Sequence, residues 1–216
     1  MSTLTLHYFY DPYCGWCYGA APLIDTAASI LPVRLHAGGM LTGPDRKPLD
    51  PAMRSHIESS DQRIEELTGQ PFSSLYRSRL LQQPDTVYQS EAPTTAILAA
   101  ESLSGEALPM LHTLQHLHYV EGERINEMAI LLKAAENLNL DPQLFQIQYE
   151  ALEGTPCMAH IDASRALLHQ LGGRGFPILV FEIEGRYQRI DHSRFLGNTD
   201  EWADVLHHLQ DATRNA

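Results

Sequence analysis

The chain has 216 residues, 44% hydrophobic and 19% charged, with a formal net charge of −12. That length accommodates a core domain with a second lobe, and the apolar content excludes a disordered chain. The acidic balance repels phosphate backbones and argues against nucleic acid as a partner, and no apolar run approaches the roughly 20 residues that span a bilayer.

Thr3 to Tyr10 is apolar, β-branched and aromatic, and reads as a strand. Asp11-Pro12-Tyr13 is a turn, and Cys14-Gly15-Trp16-Cys17 follows it. Tyr18 to Ile30 carries Ala20, Ala21, Leu23, Ile24, Ala27 and Ala28, which suits a helix packed on a sheet. Pro22 falls inside that helix and is expected to kink it. Val33 to Ala37 alternates as a second strand, stopped by Gly38-Gly39, and the β-α-β connection implies parallel strands.

Residues 42–48 form a loop, and from Asp50 to about Leu171 no convincing strand is found. Helical stretches are predicted instead over 51–68, 72–81 (stopped by Pro84), 92–103, 107–120, 126–138, 141–152 and 160–171. Asp141-Pro142 supplies an N-cap with proline in the first turn, and Gly154-Thr155-Pro156 reads as a break. After Gly172-Gly173 a strand is predicted over 177–183, then a hairpin turn at Glu184-Gly185 and a return strand over 187–190. A helix over 200–212 puts Trp202, Val205, Leu206 and Leu209 on one side. The two outer parts, 1–40 and 172–216, complement each other as one discontinuous α/β domain, and 41–171 reads as an all-helical insertion.

Cys14 and Cys17 sit where a strand turns into a helix. Two thiols three positions apart can close into a small disulfide ring and reopen. The thiolate is the nucleophile, a free cysteine titrates at about 8.5, and unpaired N–H groups with the helix dipole favour negative charge at a helix start. Cys14, exposed in the first turn, is for that reason the expected attacking thiol; Cys17, one turn in and more buried, is expected to resolve mixed disulfides. Trp16 between them either stands over the site as an apolar contact for a peptide or small disulfide, or packs against the insertion.

These features together resemble the thioredoxin-fold superfamily, and within it the DsbA-like thiol oxidoreductases with a helical insertion, nearest the cytoplasmic FrnE-type or protein-disulfide-isomerase branch. The resemblance is carried by Asp11-Pro-Tyr-Cys-Gly-Trp-Cys-Tyr18 after the first strand, by Pro22, by Gly175-Phe-Pro177 opening the strand after the insertion, and by where the insertion falls. It implies a cis bond before Pro177 and a substrate-binding role for Phe176 and Pro177. It also implies a thiol–disulfide oxidoreductase whose only redox group is its own disulfide, recycled by glutathione or a thioredoxin-type protein, with disulfide-containing proteins or small thiols as partners. Oxidation, reduction and isomerisation stay open, because the Gly15-Trp16 pair differs from the dipeptides of thioredoxin, periplasmic DsbA and the disulfide isomerases. Relatives carry a buried acid six residues before the first cysteine; here that residue is Tyr8, so Asp11, His7 or water are the candidates for taking the Cys17 proton.

Two other readings stand beside this one. A glutathione-dependent transferase or isomerase of the kappa-class or 2-hydroxychromene-2-carboxylate isomerase type shares the architecture but needs no second thiol. A non-catalytic, redox-switched binding protein would use the acidic lobe as its surface. Cys157 and His160, with the dithiol, have zinc-ligand types, and His112 and His116 lie one helical turn apart, but neither pattern predicts a metal site. Met1 to Leu6 has no basic patch, apolar stretch or cleavage motif of a signal peptide, and the expected compartment is the cytoplasm, without a membrane partner.

Overall fold

A computed structural model describes residues 3–83 and 86–214 of the chain. β1 (Leu4–Tyr10) is buried along its whole length. A strand covered on both faces is mostly apolar with its few polar side chains hydrogen-bonded, as His7 is here, and this explains why the run reads as near-continuous rather than alternating. It is followed by α1 (Gly15–Gly19), α2 (Ala21–Ile30) and β2 (Val33–Ala37). β1 and β2 pair in parallel, with Tyr8 opposite Leu35.

The predicted kink is a break at Ala20, between α1 and α2. Pro22 has no N–H for the carbonyl of Tyr18, four residues back. That carbonyl accepts instead from the Gln70 side-chain amide at 3.0 Å.

β3 (Lys47–Pro48) and β4 (Val87–Tyr88) form a separate antiparallel pair, with α3 (Pro51–Thr68) between them. β4 lies in the stretch predicted to hold no strand; two residues are too few to carry a periodicity. The helix predicted over 72–81 is a wide, π-type turn at Tyr76–Leu80, in which the Leu81 N–H bonds back to the Tyr76 carbonyl at 3.0 Å. Pro84, its predicted stop, lies outside the described residues. α4 (Glu91–Ser104), α5 (Ala107–Tyr119), α6 (Met128–Asn137) and α7 (Pro142–Leu152) follow, the last capped by Asp141 on the N–H groups of Gln143 and Leu144. α8 (Thr155–Gln170) starts five residues before the predicted position. Pro156 sits in its first turn, where a missing N–H costs nothing, so the apparent breaker is a helix start.

β5 (Ile178–Ile183) and β6 (Arg186–Ile190) complete the main sheet, in the order β2-β1-β5-β6. β5 runs antiparallel to β1, with Leu4 opposite Ile183, so the two ends of the chain share one sheet. α9 (Thr199–Arg214) packs with α2 on one face, where the Trp202 indole N–H donates to the Leu23 carbonyl at 2.9 Å. α8 closes the other face through Leu168 on Phe9 and Val180. The chain has the mixed α/β, thioredoxin-like architecture with a helical insertion. Among the described residues, no helix is long and apolar enough to cross a membrane.

Candidate active site

The turn after β1 is fixed by one buried carboxylate. Asp11 accepts from the Tyr13 N–H at 2.9 Å and from the Met40 N–H at 2.6 Å, tying the loop after β1 to the loop after β2. Burial pushes the Asp11 carboxyl up from its ordinary range, opposed by Ser90, these backbone donors and Arg165. The Asp11 carbonyl also accepts from the Cys14 N–H at 3.1 Å. Cys14 is therefore held with extended backbone as the N-cap of α1.

Its sulfur fills the capping role usually taken by an oxygen. The Cys17 N–H donates to Cys14 Sγ at 3.3 Å. Both thiols are free, and Cys14, expected to be exposed, is 7% exposed: the Phe176 loop covers it and leaves it open only to a cavity. Cys17 is fully buried, and burial pushes its thiol well up, helped by Cys14 beside it. The Tyr8 hydroxyl donates to the Cys17 carbonyl at 3.3 Å. Burial pushes the Tyr8 phenol up too, so it stays neutral. His7 points to the opposite sheet face, as neighbours on a strand must. Its ring meets His36 Nε2 at 2.9 Å and Glu182 Oε2 at 2.7 Å.

The Phe176–Pro177 bond is cis, as the resemblance implies. The Cys14 thiol donates to the Phe176 carbonyl at 3.5 Å. The Phe176 ring lies over Gly38, and Arg165 fastens that loop by donating to the Gly38 carbonyl at 2.8 Å and also to the Gly39 carbonyl. Trp16 sits between the cavity and α3. It lines the cavity beside Cys14, yet it is half-buried, with the Arg63 guanidinium of α3 5.8 Å from its ring centre.

That cavity has a volume of about 680 Å³ and brings Cys14, Trp16 and Phe176 together with residues that the sequence analysis missed. His56 and Asp61 come from α3, Tyr76 and Tyr88 from the segments after it, and His118 and Tyr119 from α5. Asp61 is only 3% exposed; burial pushes its carboxyl up to about 7, and the Tyr76 hydroxyl donates to it at 3.0 Å. His118 is packed edge-on against Tyr13, Tyr76, Tyr88 and Tyr119, and burial pushes it down to about 4. No short motif marks these positions. The available signal was a carboxylate on a helix that returns to a buried Ile64 three residues later.

Cys157 and His160 are engaged elsewhere. The Cys157 thiol donates to the Glu91 carbonyl at 3.6 Å, and His160 Nε2 accepts from the Ala37 N–H at 3.3 Å. His112 faces Asp25 at 3.1 Å and His116 faces Glu121 at 3.7 Å. Among the described residues, no group of three or more His, Cys, Asp or Glu is arranged to hold a metal ion.

No family model matches the chain, and no curated protein matches it significantly. Solved structures do. The cytosolic disulfide reductase DsbM from Pseudomonas aeruginosa superposes with a TM-score of 0.90 and 43% identity, over 96% of this chain and 99% of that one. The same reductase solved with GSH matches with a TM-score of 0.87 and 43% identity, over 95% and 98%. A candidate protein disulfide isomerase from Nitrosomonas europaea matches with a TM-score of 0.77 and 25% identity, over 96% and 97%.

Proposed function

Because the chain belongs to the DsbA/DsbM-like thiol oxidoreductases, we propose that it works as a cytoplasmic disulfide reductase recycled by glutathione. The activity class, thiol–disulfide oxidoreduction at a Cys14/Cys17 couple, follows from the family. The direction, the thiol partner, the compartment and the residue roles are our reading. The observation that carries it is Cys14 itself, an N-cap sulfur on the wall of a cavity large enough for a small disulfide, beside the Phe176 carbonyl. The 43% identity to a cytosolic reductase that was also solved with GSH supports the direction and the partner.

Cys14 attacks as the thiolate. Its sulfur bonds to one substrate sulfur, and the other leaves as a thiol after gaining a proton. Cys17 then loses its proton and attacks the Cys14 sulfur, releasing the second substrate thiol and closing the Cys14–Cys17 disulfide. Two glutathiones reopen that disulfide and leave as glutathione disulfide. Phe176 and Pro177 align the substrate backbone, and Trp16 gives it an apolar contact. Residues 1–40 with 172–216 form the redox domain in this reading, and 41–171 form the insertion that covers the site. The 2-hydroxychromene-2-carboxylate isomerase type of reaction gives Cys17 no task.

The test is turnover of bis(2-hydroxyethyl) disulfide with glutathione, followed through glutathione disulfide formation. Cys14→Ser should abolish it, and Cys17→Ser should trap a mixed disulfide visible by mass. Full activity in Cys14→Ser would refute the reading.

A further inference from the structure

We propose that Asp61 is a catalytic general acid of this site, donating its carboxyl proton to the thiolate expelled from the substrate when Cys14 attacks. The proposal rests on the reductase reading above and assigns the proton that it needs.

The geometry begins at Gly15. α3 crosses the start of α1 so closely that a Cβ on Gly15 would lie 3.1 Å from Asp61 Oδ1 and 3.0 Å from Ile64 Cδ1. A side chain there would press the carboxyl away; glycine lets it reach the residue next to the attacking sulfur. Both Asp61 and Cys14 line the same cavity. The Tyr76 hydroxyl bonds to Oδ2, and Oδ1, the atom facing Gly15, has no hydrogen-bond partner among the described residues.

The other ionisable groups on the cavity wall are worse placed. Asp45 and Asp50 are exposed, and Asp50 is occupied in capping α3 on the Met53 N–H. His118 is neutral and locked among tyrosines, with Nδ1 against the Glu123 carbonyl. His56 is exposed to water. The charges acting on Asp61 are Arg77, which favours the carboxylate, and Glu58 and Glu65, which oppose it. Tyr76, Tyr88 and Tyr119 face it as neutral phenols, each pushed up by burial. Burial is the largest influence and leaves a carboxyl that titrates at about 7, suited to giving and regaining a proton at neutral pH.

The step balances. The Cys14 thiolate forms its bond to one substrate sulfur as the substrate S–S bond breaks. The departing thiolate takes the proton from the Asp61 carboxyl and leaves as a thiol. Asp61, now a carboxylate, regains a proton from the next Cys14 thiol, which regenerates the thiolate.

A general acid matters most when the leaving thiolate is basic, because weakly basic thiolates depart unaided. The experiment compares reduced wild-type protein and Asp61→Asn in single turnover. One substrate is bis(2-hydroxyethyl) disulfide, with a basic leaving group; the other is 5,5′-dithiobis(2-nitrobenzoate), with a weakly basic one. At neutral pH, Asp61→Asn should lose about 100-fold on the alkyl disulfide and stay within about threefold on the aryl one. In the wild type, the alkyl-to-aryl rate ratio should fall as pH rises through about 7, while in Asp61→Asn it should be low and flat. Equal losses on both substrates, or no loss on either, would overturn the assignment. Wild-type protein inert toward both would overturn the reductase reading itself. Tyr76→Phe provides a second arm, since losing the donor on Oδ2 should hold the proton to higher pH; an unmoved midpoint of the ratio would count against Asp61.

Discussion

The ring of Phe176 occupies the space that a side chain on Gly38 would need. A Cβ there would lie 1.9 Å from Cζ and 2.2 Å from Cε1. The carbonyl of the same Phe176 accepts from the Cys14 thiol, so the end of β2 sets the position of a group at the redox centre. Gly38→Ala should force the ring and its carbonyl to shift, costing about 1–3 kcal/mol of stability. Disulfide reduction should fall more steeply than stability under conditions where the variant is still folded. Urea unfolding and single-turnover rates on one preparation separate the two effects.

Alkylation at mildly acidic pH should find Cys14 first. Its sulfur accepts the Cys17 N–H at the start of α1, whereas burial pushes the Cys17 and Cys157 thiols up and keeps them protonated. Peptide mapping after limiting iodoacetamide should show Cys14 modified at least about tenfold faster than either. Cys157→Ser should retain most of the reductase activity, because its thiol faces the Glu91 carbonyl rather than the cavity.

Gln70→Ala should destabilise the junction between α1 and α2. The Tyr18 carbonyl, left without a helical donor by Pro22, would lose the amide that now meets it at 3.0 Å. The expected loss is about 1–2 kcal/mol. A denaturant midpoint that does not move would show that water replaces the amide at no cost.

Asp61 should also mark the pH dependence of stability. Its carboxyl titrates at about 7 in the fold against an ordinary 3.8. A raised value means that the folded state holds the proton longer than the unfolded chain does. The group's favourable contribution is therefore fully present below about 4 and is lost as pH rises through about 7. Asp61→Asn removes that loss. Its stability relative to wild type should rise between pH 4 and pH 8 by an amount on the order of 4 kcal/mol. Parallel curves for the two proteins over that range would contradict the buried-carboxyl account.

The parts of the fold legible in the sequence are those fixed by local rules. β1, the Cys14–Cys17 turn, β5 and the hairpin at Glu184-Gly185 carry their signals within a few residues. Pro22 signalled a break correctly, but which group would rescue Tyr18 depends on Gln70, 52 positions away. The start of α8 was misplaced because proline reads as a stop inside a helix and as a start in its first turn. Asp61 was invisible for a different reason. Around it α3 reads Glu58-Ser-Ser-Asp-Gln-Arg-Ile-Glu65, a polar face by composition. It becomes a buried face only when Gly15, Tyr76 and Ile64 close around it, and two of those three come from other segments.

The pairing of β1 with β5 has a consequence for the newborn chain. Cys14 and Phe176 are 162 positions apart, and Leu4 must wait for Ile183 before their part of the sheet can close. At a ribosomal pace of about 5–20 residues per second, some 8–30 s separate the emergence of the cysteines from that of their partner strand. Throughout that interval β1 has only β2 beside it in the sheet, and Cys14 lacks the Phe176 carbonyl that meets its thiol in the finished fold. The two thiols are made well before the strand that completes their sheet, so the yield of this protein in the cell should depend on how reducing its surroundings are during synthesis.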